Sequence, residues 1–290
     1  SDIPIGVSNP VNVSTALPGG YGSGTDYAND LVVDASGVAT ILFTSQGVRG
    51  SLDVYLAKYD ENGLVGTILN LSDQLQAGEG TDNGFGSTLK LDASGDPIVV
   101  FLECCGGQGS HDVYLYDSNN PISATNPHNL SVSLSGSQGG GGASSSKLEI
   151  KNNIAYVAWA ESNGLRGASD MYYYDNSQAV SATNPRNLSN SISNGAWGTT
   201  DVEDQNIQFL VTASGVAYVI WGEDGPQNFN ADIFLFRSDQ GISATNPLNI
   251  SNKLTSNLKD EFTLGGDIDV DSSGNPYIVW SEAGTLDYHY

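Results

Sequence analysis

A five-bladed β-propeller is the fold this sequence predicts, and three observations predict it. Asn-x-Ser recurs at Asn12, Asn70, Asn129, Asn187 and Asn249, at intervals of 58, 59, 58 and 62 residues. Between these anchors the same series of short β-type segments returns, with no helical periodicity. One column of aromatics, Phe43, Phe101, Trp159, Trp221 and Trp280, keeps a fixed place in every unit. Four-stranded repeats that bury their faces against neighbours describe a propeller.

Each unit opens on an apolar strand that ends in a turn: Leu31 to Gly37, Leu89 to Gly95, Leu148 to Asn153, Phe209 to Gly215 and Ile268 to Gly274. Asp34, Asp92 and Asp271 stand where hairpin chemistry wants an Asp, followed by a glycine for the positive φ angle. A second strand carries the aromatic column and reads as buried on both faces. Two residues on stand Glu103, Glu161, Glu223 and Glu282, with Ser45 in the first unit. A Gly-rich loop leads to Asp53, Asp112, Asp170, Asp232 or Asp287, which opens the third strand. The motif Asn-Pro-x-Asn-x-Ser makes the fourth strand, nearly intact at Asn9 to Ser14, Asn126 to Ser131, Asn184 to Ser189 and Asn246 to Ser251. The run Ser135 to Ser146, with four glycines in a row, reads as a flexible inter-unit loop.

The chain therefore reads as one domain over 1–290, with blades at 31–72, 89–131, 148–189, 207–251 and 268–290. The last repeat lacks its fourth strand, and residues 8–14 carry that strand with no repeat before them. The expectation is that 8–14 completes the fifth blade beside Asp287 to Tyr290 and hides an open edge.

Composition narrows the function classes. With 33 Asp and Glu against 10 Lys and Arg, the net charge is -23. Phosphate binding needs clustered cations, so nucleic acid is excluded as a partner. No apolar run reaches the roughly 20 residues of a membrane span. Ser1-Asp2-Ile3-Pro4 has neither a basic start nor an apolar centre, and reads as a mature terminus. The surface suits a secreted or cell-surface protein. No cofactor is indicated, and calcium is the cation that its acids would take. Cys104 and Cys105 are adjacent, so they form either a strained disulfide or two thiols in a Gly-rich loop. His111, His128 and His289 occupy three different contexts and make no metal triad.

The strings Tyr218-Val219-Ile220-Trp221-Gly222-Glu223, Asp232-Ile233-Phe234-Leu235-Phe236-Arg237-Ser238 and Pro247-Leu248-Asn249-Ile250-Ser251 resemble repeats of the sialidase-like (BNR-type) propeller superfamily. Gly164 to Tyr172 is similar to the same loop-to-strand passage. No repeat holds an intact Asp-box, Ser-x-Asp-x-Gly-x-x-Trp. The resemblance implies the fold and an extracellular setting, and carries no activity. A sialidase would need three convergent arginines. Arg49, Arg166, Arg186 and Arg237 occupy different repeat positions.

The expected function is a non-catalytic interaction or assembly module, the repeating subunit of an extracellular filament or surface layer, associating head to tail or by stacking. A lectin-like glycan binder is the alternative. Its candidates are the loop aromatics Trp197, Tyr21, Phe85 and Phe262, with Trp197 foremost. A glycoside hydrolase of the sialidase superfamily or another family is the second alternative. The repeated acids Glu103, Glu161, Glu223, Glu282, Asp53, Asp112, Asp170, Asp232 and Asp287 read as packing groups or calcium ligands. The five Asn-x-Ser anchors are N-glycosylation candidates or strand-end hydrogen-bonding pairs.

Overall fold

The computed structural model describes residues 12–13, 16–17, 25–46, 52–75, 84–104, 111–123, 125–134, 141–162, 169–181, 183–192, 207–224, 231–243, 245–251 and 263–282. The chain falls into two compact units, Ser1–Leu130 and Ser131–Tyr290. Five antiparallel sheets follow one another in chain order, and the fold is that of a five-bladed β-propeller.

Blade 1 is β1 (Tyr27–Val33), β2 (Ala39–Gln46), β3 (Leu52–Asp60) and β4 (Gly63–Asn70). Blade 2 is β5 (Gly84–Leu91), β6 (Pro97–Cys104), β7 (His111–Asp117) and β8 (His128–Asn129). The second unit holds blade 3, with β9 (Ala143–Lys151), β10 (Ile154–Glu161), β11 (Asp170–Asp175) and β12 (Arg186–Asn187). Blade 4 is β13 (Gln208–Val211), β14 (Ala217–Asp224), β15 (Ala231–Arg237) and β16 (Leu248–Asn249). Blade 5 shows β17 (Thr263–Val270) and β18 (Pro276–Glu282). Its third strand lies outside the described residues.

Four first strands begin earlier than the sequence indicates. β1, β5, β9 and β17 start four or five residues before Leu31, Leu89, Leu148 and Ile268. A register break explains the difference in each case. It falls between Ala28 and Asp30, between Gly86 and Thr88, opposite Ala158 and Ala160, and between Thr263 and Gly266. An extra residue there reverses the apolar alternation, so the pattern reads as finished when the strand is not. Ala143 to Ser146, read as loop, is strand. Phe85, placed in a loop, is on β5.

The turns between first and second strands in blades 1, 2 and 5 form as Asp, Ser and Gly chemistry dictates. Asp34 Oδ1 accepts from the Ser36 and Val38 amides, Asp92 Oδ1 from Ser94 and Asp96, and Asp271 Oδ1 from Ser273 and Asn275. Gly37, Gly95 and Gly274 take φ of 89°, 85° and 81°. Blade 3 makes the same reversal with Asn152 and Asn153 at φ 53° and 59°, as a two-residue hairpin requires.

The Asn-Pro motif shortens the fourth strand to two residues in blades 2 to 4. Asn126, Asn184 and Asn246 are buried, and each Asn-Pro bond is cis. Asn126 Nδ2 donates to the Asp117 and Asn120 carbonyls, and its Oδ1 accepts the Asp117 amide. Asn184 and Asn246 repeat that set. One buried amide thus closes the whole turn, and only two residues beyond it pair with the third strand.

The aromatic column packs between sheets. Phe43, Phe101, Trp159 and Trp221 each stack on the aromatic opposite in the third strand, Tyr55, Tyr114, Tyr172 and Phe234, at 5.4 to 5.6 Å. Trp221 and Phe234 face Tyr156, Ala158 and Tyr173 of blade 3. Phe101 and Tyr114 face Leu42, Val54 and Leu56 of blade 1. Rings of this size each bury 150–250 Å² or so, and dominate the core.

After Asn-x-Ser the chain turns and adds one more apolar anchor, three residues on. Leu71 and Leu75 pack on Phe101 and Tyr114, and Leu188 and Ile192 on Trp221 and Phe234. Val13 and Leu17 pack in the same way on Phe43 and Tyr55 of blade 1. The Ala16 amide donates to the Val13 carbonyl, as Gln74 does to Leu71. The N-terminal motif therefore sits on blade 1 as the tails of blades 1 and 3 sit on the blades that follow them. Its pairing with Asp287 to Tyr290 lies outside the described residues.

Candidate functional site

The repeated acids meet the repeated Asn-x-Ser. Asn70, Asn129, Asn187 and Asn249 donate through Nδ2 to Asp53, Asp112, Asp170 and Asp232, at 2.7 to 2.8 Å. The following serine takes a backbone amide of the third strand: Ser72 from Val54, Ser189 from Met171 and Ser251 from Ile233. Its hydroxyl then donates to the Glu of the next blade, Ser72 to Glu103 at 2.6 Å and Ser189 to Glu223 at 2.7 Å. Ser131 does the same to Glu161 at 2.8 Å. Trp159 and Trp221 add their indole N–H groups to Glu161 and Glu223. These Glu and Asp side chains are buried, so this is a clasp between blades, closed to substrate. Spacing separates Ser from Glu by about thirty residues, which is why neither shows its partner in the sequence. The side chain of Glu282, and Asp287, lie outside the description.

The clasp bears on the sequons. Glycosyl transfer uses Asn Nδ2, and in the fold that atom is held on Asp. Asn70, Asn129, Asn187 and Asn249 are expected to be bare, and intact mass of natively produced protein checks this. A glycan-sized increment would show modification before the fold closed. Asn12 is exposed and outside this expectation.

Blade 1 lacks the Glu of the clasp and carries an acid at the place opposite it instead. Gly84 on β5 pairs with Glu103, and a Cβ at Gly84 would lie 2.6 Å from Glu103 Oε2. Gly84 is the residue that leaves room for the buried Glu. In blade 1 the pair is exchanged: Ser45 replaces the Glu, and Asp26, just before β1, replaces the glycine. Ser45 Oγ donates to Asp26 Oδ1 at 2.6 Å. The carboxylate moves from inside to an exposed position. The next residue, Tyr27, is 48% exposed, and Phe85, at the same place on β5, is 40% exposed. The two first strands adjoin: Asp30 Oδ2 accepts the Leu89 amide, and Thr44 Oγ1 accepts the Gly86 amide. The Phe85 ring lies 5.9 Å from the His111 ring, tilted by 46°. Phe85 and His111 thus form one pair of rings, while Asp26 lies on the Ser45 face of blade 1 and Tyr27, the next residue, on the opposite face.

Of the predicted aromatics, Phe85 belongs to this pair, while Trp197, Tyr21 and Phe262 lie outside the described residues. Asp26, Tyr27 and His111 were missed. The signal that could have found Asp26 is the break in the Glu column at Ser45. Cys104 ends β6 opposite His111, and Cys105 lies outside the description. Among the described residues no three His, Cys, Asp or Glu gather to hold a metal. No described helix is long and apolar enough to cross a membrane, which says nothing of β-strand spans.

At the opposite ends of β1 and β5 a cleft of about 360 Å³ lies between the Asp34 and Asp92 turns. The Ser36 hydroxyl and Val38 amide hold Asp34 below the usual carboxylate range. Burial raises Asp92, but the Asp96, Ser94 and Gly95 amides and Asn119 outweigh it, and it too is lowered. A glycosidase needs one carboxyl that keeps its proton near neutrality. Neither turn acid fits that role, and each holds its turn through Oδ1.

No family model and no curated protein matches the chain. Solved structures similar to it include an endo-arabinase from Bacteroides thetaiotaomicron, at 11% identity and a TM-score of 0.39, with 90% of each chain covered. A thermostable family-43 glycoside hydrolase matches at 12% identity and a TM-score of 0.38, covering 89% of this chain and 84% of that one. A Hadza microbial sialidase matches at 8% and 0.33, covering 76% and 43%. At such identities the likeness concerns the propeller fold. The expectation of a non-catalytic filament or surface-layer subunit is corrected by these matches. The solved structures named are glycoside hydrolases, and the hydrolase alternative accords with them better. The repeated acids obey the repeat symmetry, and Asp26 breaks it.

Proposed function

We propose that the protein is a carbohydrate-active propeller, working outside the cell, that holds a glycan across Asp26, Tyr27, Phe85 and His111 and hydrolyses a glycosidic bond there. The observation carrying this reading is the pair of exposed rings at equivalent positions on adjoining first strands, with an exposed carboxylate one residue before Tyr27. Sugar rings stack their C–H faces on such aromatics, and their hydroxyls donate to carboxylates. Hydrolysis requires a proton donor and a base or nucleophile, set by their separation. Asp26, exposed and held by Ser45, suits the base or nucleophile.

Arabinan, xylan and a sialoside make the first panel, since enzymes for these bonds are among the similar structures. Reducing-end release and equilibrium binding are the readouts. Phe85→Ala and Tyr27→Ala are each expected to weaken binding about tenfold, the worth of roughly 1.4 kcal/mol of stacking. Asp26→Asn is expected to stop release while leaving binding. Wild-type protein that neither binds nor cleaves any member of a broad glycan panel would overturn the reading.

A further inference from the structure

Three carboxyl pairs lie opposite one another in the register: Glu103 with Asp112, Glu161 with Asp170, and Glu223 with Asp232. Directly opposed residues on antiparallel strands point to one face, with Cβ atoms about 4.5–5.5 Å apart. All six side chains are 5% exposed or less. Each Glu Oε2 accepts a serine hydroxyl, and each Asp Oδ2 accepts an asparagine amide. Ser251 also donates to Asp232 Oδ1. Tyr114 and Tyr172, on the third strands, each accept on their hydroxyl the asparagine amide that also donates to Asp112 or Asp170. Burial, then Asp170 and Glu161, push the Tyr172 hydroxyl up. His111, one residue before Asp112, points to the other face of the sheet, against Phe85.

Two like charges this close, both out of water, do not ionise together. We infer that each of the three pairs keeps one proton at neutral pH, shared between the two acids, so that the fold is tightened in acid and loosened in alkali. Blade 1 is exempt, because Ser45 replaces its Glu and the acid, Asp26, is exposed. The inference is independent of the glycan reading. Its sign follows from linkage. A pair's proton is bound in the folded state and released by the unfolded chain above its ordinary carboxyl range near pH 4. Stability is then fully present below that range and falls as pH rises, until the folded pair itself ionises. Each pair multiplies the unfolding constant about tenfold per pH unit across that window. His128, whose imidazole is held down by burial, works in the opposite direction, and comparison with a variant cancels it.

Infrared spectroscopy of the wild-type protein in heavy water at neutral pH is the first test, and a protonated carboxylic-acid band is expected. The second compares denaturant unfolding at about pH 5 and pH 8 with the triple variant E103Q, E161Q and E223Q. Glutamine keeps the acceptor oxygen and replaces the shared proton by its own N–H, so the variant's unfolding constant is expected to lose most of the pH dependence. Absence of the acid band at neutral pH overturns the inference without any variant. So does an identical pH dependence in the triple variant.

Discussion

Trp221→Ala is expected to cost about 3–5 kcal/mol of unfolding free energy, read as a fall in the urea midpoint at unchanged slope. The indole is fully buried. It stacks on Phe234 at 5.6 Å and sits in the cluster with Tyr156, Ala158 and Tyr173 of the preceding blade. Its removal leaves a cavity where two sheets meet, with rigid strands on both sides that cannot collapse into it. The indole N–H also donates to Glu223 Oε2 at 2.9 Å. Trp221→Phe separates the two contributions. It keeps most of the packing and drops the hydrogen bond, so a loss of about 1–2 kcal/mol is expected. Equal losses from both variants would mean that the indole N–H, and not the ring, carries the position.

Glu161→Ala is expected to cost a similar amount, about 3–5 kcal/mol, although it removes a charged residue from a chain already rich in acid. Two buried donors depend on this carboxyl, the Ser131 hydroxyl at 2.8 Å and the Trp159 indole at 2.7 Å. Alanine would strand both and leave a void beside Asp170. Glu161→Gln retains an acceptor oxygen of the same shape and is expected to cost no more than about 1 kcal/mol. The contrast is decisive because a surface acid would respond to neither change. Thermal and urea unfolding of the two variants together measure it.

The legible part of this fold is the part that repeats. Period, strand order, the Asp-Ser-Gly turns and the aromatic column all follow from local chemistry copied at a fixed spacing. The first strands were legible only in their second halves, because one extra residue, as at Asn29, inverts the alternation that marks a strand. The clasp was half legible. Its columns stood in plain view as Asn-x-Ser, Glu and Asp, yet nothing in the chain indicated that Ser72 reaches Glu103 or that Asn70 holds Asp53. The candidate site was the least legible. Phe85 drew notice as an aromatic among glycines, while Asp26 looked like any of 33 acids. Its meaning depends on Ser45 lying opposite, and on Gly84 and Glu103 holding the same places in the next blade.

The sequence by itself determined the fold class, the number of repeats and the residues of the clasp, since each is a local pattern repeated. Only the tertiary structure decided which columns touch. It paired the acids across strands, buried them between blades and left Asp26, Tyr27, Phe85 and His111 at an open strand end. The physical reason is that hydrogen bonds and buried charge act over a few ångströms in space, between residues that the chain keeps apart, by 17 positions for Asn and Asp and by 30 to 34 for Ser and Glu.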